Sequence, residues 1–134
     1  MKTQGEIESA ICSGIAQFEQ EYMGRGPRDI HTYLIDDLIV VRLTSSLTSA
    51  EQQLVKAMPP DKGRDLLKQV RTQLIETSRP QLESLVRSIT DAAVVSLHHD
   101  ISTVSGEEVI IFSLDKHPGV RDAAKRGARL APAQ

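Results

Sequence analysis

Ile30-His31-Thr32-Tyr33-Leu34-Ile35-Asp36-Asp37-Leu38-Ile39-Val40-Val41-Arg42-Leu43 sets two β-rich runs on either side of two acids. Branched and aromatic side chains suit a pleated, half-buried surface, and Asp suits a tight turn, so the run predicts a β-hairpin. A two-residue loop pairs Ile35 with Leu38, Leu34 with Ile39, Tyr33 with Val40, Thr32 with Val41, His31 with Arg42 and Ile30 with Leu43. Alternation then puts Ile30, Leu34, Ile39, Val41 and Leu43 on a core face, and Tyr33, Ile35, Leu38 and Val40 on the opposite one. A type I′ turn asks for positive φ at both central positions, which two acids without a glycine meet poorly.

A second hairpin is expected near the C-terminus. Residues 93–103 and 108–114 alternate in the same way around a Val104-Ser105-Gly106-Glu107 turn. Pairing across Ser105-Gly106 gathers Leu97, His99, Ile101, Ile110, Phe112 and Leu114 on one face. Ser96, His98, Asp100, Ser102, Val109, Ile111 and Ser113 take the other.

Between and before the hairpins the period changes from two to that of a helix. Ile7, Ile11, Ile15, Phe18 and Tyr22 predict a helix over about residues 3–22, stopped by Gly24-Arg25-Gly26-Pro27. Gly14 inside it is unfavourable unless a neighbouring element crosses there. Thr48-Ser49-Ala50-Glu51 matches a capping box and predicts a short helix to about Met58. After Pro59-Pro60, a long stripe through Leu66, Leu67, Val70, Leu74, Ile75, Leu82, Leu85, Val86 and Ile89 contains Pro80. A kink near Thr77, or two helices meeting at an angle, follows. The whole reads as an α+β two-layer domain over residues 1–115, in which a four-stranded, mainly antiparallel sheet from two hairpins carries helices on one face. Residues 116–134 are expected to form a basic, flexible tail.

The chain has 134 residues, with 16 Lys and Arg against 18 Asp and Glu, a net charge of −2 and no Trp. That balance excludes a globally basic nucleic-acid binder and an acidic disordered chain. Five basic side chains against two acids make residues 115–134 about +3, leaving −5 for residues 1–114. Cys12 is the only cysteine, so no internal disulfide forms, and a reducing cytoplasm fits. No apolar stretch approaches the roughly 20 residues of a membrane span.

No catalytic residues are expected. Ser96, His98 and Asp100 hold the residue types of a nucleophilic triad, but alternate strand positions lie roughly 6.5–7 Å apart, too far for Ser to reach His. His98 and His99 point to opposite faces and cannot share a metal ion, so no metal or cofactor is expected. Asp36 and Asp37 read as turn residues. His99, beside Leu97 and Ile101, reads as a core histidine whose packing would respond to pH if buried. Gly24, Arg25, Gly26, Arg28 and Arg42 are the candidates for holding an anion or ligand, because glycine amides and guanidiniums bind phosphate or carboxylate. The non-core sheet face is too apolar to stay wet comfortably. Tyr33, Ile35, Leu38, Val40, His98, Asp100, Val109 and Ile111 are therefore candidate residues of a homodimer interface.

Gly24-Arg25-Gly26-Pro27, the hairpin around Asp36-Asp37, Leu47-Thr48-Ser49-Ala50-Glu51, and Val95-Ser96-Leu97-His98-His99-Asp100-Ile101-Ser102-Thr103 with Gly106-Glu107 together resemble the MpsC-like family of small bacterial proteins. The likeness covers about residues 5–115. It implies association with a membrane-potential-generating, cation-linked system of the kind tied to inorganic-carbon uptake, and transfers no catalytic residue. A weaker resemblance, to small KH-like ribosome-associated proteins, needs a GXXG loop between two helices, whereas Gly24-Pro27 lies between a helix and a strand. The expected function is a non-enzymatic, homodimeric accessory or regulatory protein of the cytoplasm. It would meet a membrane-protein partner or an anionic membrane surface through its tail. The alternative is an RNA- or nucleotide-binding module using the loop arginines and the tail.

Overall fold

The computed structural model describes residues 2–24, 26–44, 48–102 and 105–121. The elements run α1 (Gln4–Met23), β1 (Asp29–Ile35), β2 (Leu38–Thr44), α2 (Ser49–Ala57), α3 (Pro60–Thr77), α4 (Arg79–Thr90), β3 (Val94–Ile101) and β4 (Glu107–Leu114). The expected capping box of Thr48 with Glu51 opens α2, and a second one, Thr3 with Glu6, opens α1. Pro60 opens α3, where a missing amide donor costs nothing. Pro80 does not kink one long helix. The chain breaks at Ser78 and starts α4, the second of the two expected geometries.

The first hairpin forms in the expected register, with the pairing extending to Asp29 and Thr44. Its turn takes positive φ at Asp36 alone (54°), so the two acids need not both adopt the left-handed conformation. The Leu114 amide donates to the Asp37 carbonyl at 2.8 Å, which ties this turn to the second hairpin. The two hairpins join through β2 and β4 into one antiparallel sheet ordered β1-β2-β4-β3. A bulge between Val94 and Ser96 interrupts the pairing of β3 with β4.

All core-face positions predicted from alternation on the inner strands are buried: Ile39, Val41, Leu43, Ile110, Phe112 and Leu114. They pack against Ile7, Ile11 and Ile15 of α1 and Leu82 and Val86 of α4 in one cluster. Each fully buried large apolar side chain contributes about 1.5–3 kcal/mol, so this layer dominates stability. The element that crosses at Gly14 is α4: a Cβ there would lie 2.6 Å from Leu85 Cδ1, so glycine lets the two helices close. Of the segment assigned to the tail, residues 116–121 are described, and the Arg121 amide donates to the Lys2 carbonyl at 2.9 Å. Residues 122–134 lie outside the described residues.

Candidate interaction surface and buried charge network

The sheet face away from the helices presents three cross-strand rows set by the pairing registers: Ile35-Leu38-Ser113-Ser96, Tyr33-Val40-Ile111-His98 and His31-Arg42-Val109-Asp100. All eight interface candidates therefore stand on one continuous surface. Tyr33 and Ile35 are 42% and 55% exposed, Leu38, Val40, Val109 and Ile111 are half-buried, and His98 and Asp100 are exposed.

The charges on this surface are paired. Arg42 bonds Glu107 and also lies against Tyr33, and Glu107 foremost raises its pKa. His31 meets Asp29 at 3.1 Å, and Lys68 of α3 reaches Asp100 at 3.3 Å. The Ile101 amide, followed by Lys68, holds the Asp100 carboxyl below the usual range. With its carboxylate so occupied, Asp100 makes no hydrogen bond to His98 among those described, and Ser96, His98 and Asp100 remain three successive outward positions on β3.

The anion candidates are not gathered. Gly24 caps the C-terminal end of α1 in the left-handed conformation (φ 83°), where the helix dipole favours cations instead. Gly26 lies against Gln20 and the Ala16 carbonyl of α1. The Arg28 amide donates to the Thr44 carbonyl, and its side chain is exposed. Arg42 stands on the outer face, already bonded to Glu107. Arg25 lies outside the described residues.

A feature absent from the sequence reading lies on the other side of the sheet. Arg71 of α3 is 2% exposed and grips Glu51 of α2 through Nε (2.7 Å) and Nη2 (2.9 Å), while its Nη1 donates to Glu108 of β4 at 3.0 Å. The other Glu108 oxygen is 2.6 Å from His99 Nε2 on β3. Burial works to raise the Glu51 pKa, but the bonds from Arg71 and the Thr48 amide outweigh it and hold the carboxyl below its ordinary value. Glu19 of α1, 2% exposed, faces the same group. Burial, then the charge of Glu108, pushes its pKa up to about 8. His99 Nδ1 is buried and has no hydrogen-bond partner among the described residues. The helical stripe assigned to α1 therefore needs one correction: Glu19 is inside and Tyr22, 44% exposed, stacks on Phe18 at the surface.

These features define a small α+β protein with an apolar, charge-balanced sheet surface opposite a helical layer sealed partly by ion pairs. The chain belongs to the MpsC family, described as the Na+-translocating membrane potential-generating system, whose profile matches residues 3–116. It is 36% identical to the uncharacterized protein YbcI of Bacillus subtilis (strain 168) over 113 residues, covering 84% of this chain and 89% of that protein. It is 27% identical to the uncharacterized protein YrhF of the same organism over 103 residues, 76% of this chain and 82% of that protein. No solved structure gives a significant match. Among the described residues no helix is long and apolar enough to cross a membrane, and no group of three or more His, Cys, Asp or Glu side chains is placed to hold a metal ion.

Proposed function

We propose that the chain is a non-enzymatic accessory or regulatory protein of a membrane-potential-generating system linked to inorganic-carbon uptake, acting in the cytoplasm as a homodimer joined through the outer sheet face. Family membership supports the link to such a system, and the apolar row Tyr33-Val40-Ile111 carries the dimer reading.

A second copy suits this face better than a polyanion or a lipid surface. Its cations, Arg42 and Lys68, are already matched by Glu107 and Asp100, so it offers two copies little mutual repulsion and an anionic partner little attraction. Edge-to-edge association is discouraged. Glu8 accepts the Leu34 amide at 2.9 Å and Gln4 donates to the Leu34 carbonyl at 3.2 Å, which occupies the β1 edge, while the bulge and the Lys68–Asp100 pair blunt β3. Four strands ~4.8 Å apart and seven residues long at ~3.3 Å per residue give a plan area of about 440 Å². Accessible surface follows the side chains, not the plane, so full overlap of two faces comes within reach of the ~1,200 Å² at the low end of specific interfaces. The basic residues beyond Leu114 supply a separate contact for an anionic membrane surface or a membrane-protein partner.

Light scattering of the purified full chain at micromolar concentration is expected to return twice the 14.7 kDa chain mass. A value of one chain mass overturns the dimer.

A further inference from the structure

Three carboxyls and one guanidinium meet under the helical layer: Glu19 from α1, Glu51 from α2, Glu108 from β4 and Arg71 from α3. With all three acids ionised, they exceed the single guanidinium by two negative charges that no other described lysine or arginine offsets. Water cannot dissipate them cheaply, because Glu19, Arg71 and Glu108 are each no more than 2% exposed. His99 presents one ring nitrogen to Glu108, and the other is buried with no partner among the described residues.

We propose that Glu19, buried beside the Arg71–Glu108–His99 cluster, is a proton-binding site whose occupancy latches α2 and α3 onto the sheet. A proton on Glu19 removes one of the two surplus charges. Glu51 is bonded to Arg71 and to its own cap at Thr48, and so stays ionised as the anchor of the latch. The link Glu51–Arg71–Glu108 ties α2 through α3 to β4, so charge accumulating beside it acts on the attachment of the lid itself. The other charged groups nearby are committed elsewhere: Lys68 pairs with Asp100 at the β3 edge, Arg42 with Glu107 on the outer face, and Arg79 with Glu83 on α4. When the proton leaves Glu19, three carboxylates face one guanidinium, and separating α2–α3 from the sheet admits the water that relieves them.

The direction is set by Glu19. Its pKa in the closed protein, about 8, lies above the ordinary 4.5. A group raised in the closed form favours closure fully below the ordinary value, and that preference is lost as pH rises toward the raised one. Within that window each pH unit shifts the opening equilibrium up to tenfold.

Hydrogen exchange of the full chain, corrected for intrinsic rates, tests this between about pH 6 and about pH 8. Protection of α2 and α3 amides is expected to fall roughly 10- to 100-fold while β2 and β4 amides keep theirs. E19Q, which mimics the protonated acid, is expected to keep lid protection flat across the range. An equal loss in β2 and β4, or an unchanged pH dependence in E19Q, overturns the latch. If E19Q does not fold, a carbon-13 titration of the glutamate carboxyls in the wild-type chain decides the site. A Glu19 midpoint near 8 supports it, and one near the ordinary carboxylate value of 4.5 overturns it.

Discussion

Replacing Arg71 by Met is expected to lower folding stability by about 3–5 kcal/mol, read from urea unfolding at neutral pH. The guanidinium is 2% exposed and is bonded to both Glu51 and Glu108, so its loss strands the sealed Glu108 carboxylate and takes two bonds from the largely buried Glu51. Burying the methionine returns about 1.5–3 kcal/mol at most, and the desolvation of the stranded charges exceeds that gain. A triple variant, R71M/E51Q/E108Q, is expected to recover most of the loss. It leaves no uncompensated charge, and Gln still serves the third helical position of a capping box. The gap between wild type and R71M closes in acid. Glu51 has a lowered pKa in the folded protein, so its contribution is present above its ordinary value of 4.5 and disappears as pH falls below it. A loss under about 1 kcal/mol would show that the pair behaves like an exposed one.

Replacing Val40 by Asp is expected to split the dimer and leave the fold intact. Val40 lies between Tyr33 and Ile111 on the outer face and is half-buried in the single chain, so the new carboxylate stays hydrated in the monomer. In a two-fold dimer both copies bring that carboxylate into the apolar centre, and two like charges there cost several kcal/mol. Each 1.4 kcal/mol is tenfold in affinity, so the dissociation constant should rise by roughly 1,000-fold. Light scattering should then return a single chain mass, while far-ultraviolet circular dichroism matches the wild type. A V40D protein that keeps the dimer mass would move the interface elsewhere.

The parts of this protein most readable from its residues are those where one spacing rule has one outcome. Ile35 to Leu38 outward to Ile30 and Leu43, the hairpin register follows from a two-residue turn and from the need to bury Leu34, Ile39 and Val41 together. Gly14 signalled a crossing because a glycine inside an amphipathic helix is otherwise unfavourable, and Leu85 is the crossing partner. The order β1-β2-β4-β3 depends on which hairpin edges meet, which α1 decides by occupying β1 through Glu8 and Gln4; neither residue belongs to an apolar stripe.

The ion network is hard to read from the residues because charged side chains ordinarily belong to solvent. Its positions nonetheless obey the same periodicities as the core. Glu19 is four residues beyond Ile15, Arg71 is four beyond Leu67 and four before Ile75, and Glu108 continues the inward series Leu114, Phe112, Ile110. Charged residues at core positions on three separate elements are a signal once they are seen together. The cap at Thr48 gave Glu51 a sufficient role by itself, and so concealed its second bond to Arg71.

Methyl-labelled chains mixed with unlabelled chains at a concentration where the dimer persists allow contacts between copies to be observed by isotope-filtered nuclear Overhauser spectroscopy. Cross-peaks from the Val40, Val109 and Ile111 methyls of one copy to the Tyr33 ring of the other are expected, because two outer faces meeting about a two-fold axis overlay these central rows. Contacts between copies confined to another surface, such as Tyr22 and Leu85 in the groove between α1 and α4, would contradict the face-to-face dimer.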